Sequence, residues 1–156
     1  MSQPVQPTSS KPLIEVTLAI LYREGGFLMQ LRDDLPTIVH PGIWGFFGGH
    51  IEPGEAPEQG LLRELAEEIT YRPERVTFFA DETHERSDAY VRRHYFYGEL
   101  TVPVSDLVLN EGQDLALCSP SEIRSGEKFS QKLGEARVLG QHHRQMLLNF
   151  LESDLL

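Results

Sequence analysis

Three carboxylates raise the first chemical question. Glu64, Glu67 and Glu68 stand at i, i+3 and i+4 in a segment with helical patterning, and at about 100° per residue they share one arc of a helix. Like charges at this spacing repel, and Glu67 and Glu68 fall near the C-terminal end, where the helix dipole disfavours anions. The arrangement costs stability unless a cation lies among the carboxylates. Hard carboxylate oxygens suit Mg²⁺, with Mn²⁺ as an alternative, and such an ion keeps several waters and accepts phosphate oxygens. The chemistry this predicts is hydrolysis at a phosphate: the metal neutralises phosphate charge, and a glutamate not fully engaged as a ligand takes a proton from the attacking water. Glu64 is the first candidate for that base. Glutamate is also a good helix former, and an acidic helix face is usually just a solvated one. The surrounding sequence must therefore decide.

The helix that would carry these residues runs from Pro57 to Ile69. Pro57 suits a first turn, Leu61, Leu62, Leu65 and Ile69 recur on a stripe beside the acidic arc, and Pro73 stops the helix. Before it, Glu15 to Tyr22 and Phe27 to Leu31 are apolar runs joined at Gly25-Gly26, which predicts a hairpin. Arg32 to Gly54 alternates Pro and Gly with aromatic residues and predicts a long ordered loop over the site. After the helix, Val76 to Ala80, His94 to Leu100 and Leu115 to Leu117 have strand composition. Ser119 with Glu122 forms a capping box that opens a short helix ending at Gly126, and Val138 to Leu151 is a final amphipathic helix. Mixed strands and helices in this order predict an α/β sandwich in a single domain over 13–156. Residues 1–12, polar and Pro-rich, predict a flexible tail.

From Gly49 the chain reads GHIEPGEAPEQGLLRELAEEITY. This resembles the Nudix box, G-x5-E-x7-R-E-U-x-E-E-x-G-U with U a bulky apolar residue; Gly49, Glu55, Arg63, Glu64, Leu65, Glu67 and Glu68 match it. Arg32 after a strand and Trp44 before Gly48-Gly49 extend the likeness upstream. The resemblance implies an α/β/α sandwich on a mixed sheet, metal binding or water activation by Glu64, Glu67 and Glu68, and a metal contact from the Gly48 carbonyl. It also implies that Arg63 orients a neighbouring carboxylate and that Glu55 supports the loop and helix from behind. Gly48 and Gly49 would let backbone approach metal and phosphate. Relatives often place a further carboxylate in a later loop as ligand or base, and Glu111 is the candidate here. Two positions depart from the pattern: Thr70 replaces the final Gly, and Phe47 stands where a Pro is common. A β-branched residue disfavours the left-handed conformation, so the helix is expected to continue past Thr70 toward Pro73.

Arg32, through its planar fork, is a candidate for a substrate phosphate, and Trp44, Phe46, Phe47 and Tyr95 are candidates either for stacking on a base or for the core. His142-His143 and the scattered His40, His50, His84 and His94 lack the spacing of a zinc helix, which predicts no histidine metal site. Lys plus Arg total 14 against 24 Asp plus Glu, a formal net charge of -10. That balance argues against a nucleic-acid partner, including the end of a long RNA, and fits a small nucleotide bound through a cation. Cys118 is the only cysteine and excludes an internal disulfide. With no apolar signal core or membrane-length span in the sequence, a cytoplasmic protein is expected. The expected function is hydrolysis of a nucleoside diphosphate linked to another group: a nucleoside triphosphate, ADP-ribose or a nucleotide sugar. The competing reading is a non-catalytic module of the same fold that senses a nucleotide.

Overall fold

The computed structural model describes residues 11–38 and 41–156. Most of the expected tail, and His40, lie outside the described residues. Strand β1 (Leu13–Arg23) pairs with β2 (Gly26–Leu31) only at Tyr22 and Arg23, then diverges from it. The freed edge of β1 is taken by β4 (Gly48–His50), with Leu18 opposite Gly48 and Thr17 opposite Gly49. On its other side β1 runs parallel to β6 (Tyr90–Glu99), which pairs antiparallel with β5 (Thr77–Glu85). β3 (Trp44–Gly45) and β7 (Asp114–Cys118) both pair with β2. The result is a mixed sheet in the order β3-β2-β1-β6-β5 with β4 and β7 as branches. Two short strands therefore interrupt the segment expected to be a loop.

Period-two alternation sends the two faces of β1 and β2 into two cores. Leu18, Ile20, Phe27 and Met29 pack under α3 (Gln141–Glu152) through Met146, Leu147 and Phe150. Ala19, Leu21 and Leu28 pack under α1 (Pro57–Ile69) through Leu61, Leu65 and Ile69. The expected α/β/α sandwich is what forms. Leu61, Leu65 and Ile69 are fully buried, and each contributes about 1.5–3 kcal/mol. The apolar stripe of α1 thus holds its acidic arc in place. One position of the stripe differs from expectation: Leu62 is only partly buried, and Glu68 takes the buried place instead.

Other boundaries also shift. The hairpin turns at Glu24-Gly25, both at positive φ, which leaves Gly26 as the first residue of β2. β5 and β6 run further than their apolar segments, because they pair with each other through charged residues such as Asp81 and Arg92. The short helix α2 (Pro120–Ser125) has the expected box, with Ser119 and Glu122 bonding reciprocally, and closes at Gly126. The hairpin of β8 (Glu127–Ser130) and β9 (Glu135–Val138) was not signalled: its apolar residues Phe129 and Val138 are exposed, so no buried alternation marks it. Val138 belongs to that hairpin, and α3 therefore starts three residues later than expected.

Thr70 overturns the expectation that the helix would run on. It caps α1 in the left-handed conformation, φ 54 and ψ 45. The strain of about 1–2 kcal/mol is offset by bonds that need the chain to leave there. Asn110 Nδ2 donates to Thr70 Oγ1 and to the Glu67 carbonyl, both at 3.0 Å. The Asn110 and Val108 N–H groups donate to the carbonyls of Glu68 and Ile69. At about 1 kcal/mol net per hydrogen bond, these contacts exceed the cost of the turn.

Candidate active site

Glu68 is 4% exposed, and its Oε1 accepts the Gly48 N–H at 3.0 Å. Burial, then the charges of Glu111 and Glu64, push its carboxyl up to about 9; the Gly48 bond and the charge of Arg32 oppose the rise. Burial also raises Glu64, against the pull of its hydrogen bond from Arg63. Gly49 presses against Glu64 so closely that an added Cβ would lie 2.5 Å from the Glu64 carboxyl carbon. Glu67 is more peripheral, its side chain 60% exposed and 3.5 Å from Arg63 Nη1.

Arg63 is the clamp behind this group. Its Nε and Nη2 grip Glu55 at 2.9 and 3.0 Å, Nη2 also donates to the His50 carbonyl, and Nη1 donates to Glu64 at 3.0 Å. The guanidinium, helped by the Glu52 N–H, holds Glu55 down at about 2. Glu55 thus ties loop to helix, and Arg63 fixes one oxygen of Glu64.

Arg32, Gly48, Gly49, Glu64 and Glu111 line one cleft of about 540 Å³. Glu111 reaches it because Asn110 is docked on the end of α1 and the Glu111 carbonyl accepts from Gln30 Nε2 at 2.8 Å. Sequence reasoning named Glu111 but missed Asn110, whose role depends on a helix end distant in the chain. Asn110→Ala should lower Tm by on the order of 3–6 °C through about 1–2 kcal/mol of lost capping. Thermal unfolding checks this, and an unchanged Tm would refute the capping account. Of the four aromatic candidates only Phe46 faces the cleft, together with His143. Trp44, Phe47 and Tyr95 are core residues, and Trp44 Nε1 donates to the Lys128 carbonyl. Another hollow, about 600 Å³ beside Tyr22, Glu74 and Thr101, contains none of the candidate residues.

The residues of the cleft fit a hard divalent cation. The charges of Glu111 and Glu64 add to the burial that raises Glu68, and those of Glu67 and Glu111 add to the burial that raises Glu64, a crowding of negative charge that a cation would relieve. Gly48 closes the cleft against β1, where any side chain would collide with the Thr17 carbonyl.

The sequence model of the NUDIX domain matches residues 12–139. This chain belongs to the Nudix hydrolase family. Nudix hydrolases act on acid anhydrides and generally use a divalent metal. The chain is 34% identical over 112 residues to a CTP pyrophosphohydrolase of Escherichia coli, covering 70% of this chain and 78% of that protein. It is 40% identical over 55 residues to an 8-oxo-dGTP diphosphatase of Proteus vulgaris, covering 35% of this chain and 49% of that one. The structure of a MutT protein from Methanosarcina mazei superposes with a TM-score of 0.75 at 20% identity, covering 96% of this chain and all of that one. The Nudix match ends just before α3, yet α3 closes one of the two cores. No helix among the described residues is long and apolar enough to cross a membrane.

Proposed function

We propose that this Nudix chain is an Mg²⁺-dependent pyrophosphohydrolase that cleaves a phosphoanhydride bond in a nucleoside triphosphate, with ADP-ribose and nucleotide sugars as the competing substrate classes. The observation that carries the reading is buried Glu68, bonded to the Gly48 N–H and acted on by the charges of Glu111 and Glu64, which line the cleft beside Gly48. The relatives named for CTP and 8-oxo-dGTP favour a triphosphate. Every charged position of the box is present, which disfavours the sensing module.

In this reading Glu64, Glu67, Glu68 and the Gly48 carbonyl would hold the cation, which would supply charge neutralisation to the diphosphate. Glu64, with one oxygen fixed by Arg63, accepts the proton of the attacking water. Glu111 stands across the cleft as a further ligand or base, and Arg32 with the Gly49 backbone contacts phosphate oxygens. The test is phosphate or monophosphate release from a panel of nucleoside triphosphates, ADP-ribose and nucleotide sugars, with and without Mg²⁺. Metal-dependent turnover on one class supports the reading, and tight binding without turnover would replace it with the sensing module. Glu111→Gln is expected to lower kcat by on the order of 10²-fold; unchanged turnover removes Glu111 from the chemistry.

A further inference from the structure

A cluster of side chains of metal-ligating type lies outside the glutamate cleft. Glu82 and His84 are two apart on β5 and so project from the same face. That face meets the first turn of α3, which brings His142 beside them. The ligand atoms of Glu82, His84 and His142 all lie within 4.8 Å of one another. The two imidazole rings are 4.2 Å apart between centroids and tilted by 48°. Sequence spacing could not reveal this group, because strand-to-helix packing assembles it.

Two details make it more than a surface ion pair. His84 Nε2 is 3.1 Å from Glu82 Oε1, yet this buried nitrogen has no hydrogen-bond partner. The two atoms are close without being aligned on each other, as expected of ligands directed at a common third atom. Glu82 is also held from behind: the Tyr95 phenol donates to its Oε1 at 3.0 Å, and burial keeps that phenol protonated. A ligand carboxylate oriented by an outer hydrogen-bond donor is a recurrent feature of metal centres.

We propose that Glu82, His84 and His142 form a Zn²⁺-type site, chemically distinct from the all-oxygen glutamate centre. Two imidazoles and one carboxylate suit a borderline transition ion, whereas Mg²⁺ prefers oxygen ligands. The partly exposed setting leaves a fourth position for water. The bound ion joins the start of α3 to β5. Its neighbour His143 accepts the Phe46 N–H at Nδ1, 3.1 Å away, and both residues line the catalytic cleft. Occupancy therefore stiffens one wall of that cleft. The opposing influence is Arg93, which stands across from Glu82 in the β5–β6 register and whose positive charge acts on Tyr95. The proposal does not depend on the nucleotide reading, since it concerns other side chains and another class of ion.

The test uses the chelator-treated full chain in saturating Mg²⁺, titrated with Zn²⁺ by calorimetry and with Co²⁺ by visible absorption. Wild type is expected to bind one equivalent of Zn²⁺, gain thermal stability, and give Co²⁺ d–d bands of a low-coordinate site. His84→Ala, His142→Ala and Glu82→Gln should each weaken binding at least about 10-fold, and Tyr95→Phe by about 10-fold. Glu68→Gln should leave it intact. Should His84→Ala fail to fold, His142→Asn in the first turn of α3 gives the same discrimination. Zn²⁺ binding that is absent, that survives loss of either histidine, or that disappears with Glu68→Gln overturns the proposal.

Discussion

Glu68→Gln is expected to lower Mg²⁺-dependent kcat by on the order of 10³-fold while making the metal-free protein more stable at alkaline pH. The two effects have one origin. Glutamine keeps the shape and the acceptor that Gly48 N–H needs, but it removes the negative charge that the proposed cation would meet. Among the described residues no other carboxylate is buried beside Gly48, since Glu67 is largely exposed and Glu64 is engaged by Arg63. Steady-state turnover with saturating Mg²⁺ measures the first effect. A variant as active as wild type would take Glu68 out of the reaction.

The stability effect follows from linkage. An acid whose folded pKa is raised to about 9 from 4.5 holds its proton more tightly in the folded state. Below the unfolded pKa both states are protonated and nothing is lost. As pH rises from there toward the folded value, the unfolded state releases the proton first and the metal-free fold loses stability continuously. At about 1.4 kcal/mol per unit the cumulative loss is several kcal/mol. Glu68→Gln avoids it, so its metal-free Tm at pH 9 should exceed that of wild type by on the order of 5–10 °C, with no difference near pH 4. Added Mg²⁺ should close the gap by stabilising wild type alone. Parallel melting curves from pH 4 to 9 for the two proteins would contradict the burial argument.

The legible parts of this chain were those written in local pattern. The stripe of Leu61, Leu65 and Ile69, the box at Ser119 and Glu122, and the alternation in β1 and β2 each report burial or capping within a few residues, and each element forms. The glutamates of α1 were legible as a cluster through their spacing on one helix, whereas roles for them and for Arg63 and Glu55 came only through the resemblance to the Nudix box. What was not legible depends on partners far along the chain. Thr70 turns left-handed because Asn110 rewards it, Glu68 is buried because Gly48 bonds to it, and His142 meets His84 only through packing of α3. The β8–β9 hairpin escaped notice because its apolar residues face outward.

The neighbouring glycines offer the other large effect, because they should fail in different ways. Gly48 sits at φ 147 beside β1, and an added Cβ would lie 2.0 Å from the Thr17 carbonyl oxygen. That neighbour is backbone of a central strand and cannot yield. Gly48→Ala should therefore detach β4 from β1, costing about 3–5 kcal/mol and on the order of 10 °C in Tm, with activity lost alongside. At Gly49 the obstacle is the Glu64 carboxylate, the far end of a flexible side chain. Gly49→Ala should move Glu64 to another rotamer at a cost of only about 1 kcal/mol. Tm then falls by a few degrees, but a base displaced by about 1 Å can lose 10²-fold in rate. Melting temperature and kcat measured on both variants separate the roles. If Gly49→Ala retained full turnover, Glu64 would no longer be the candidate base, and Glu111 would be the carboxylate left to take the proton.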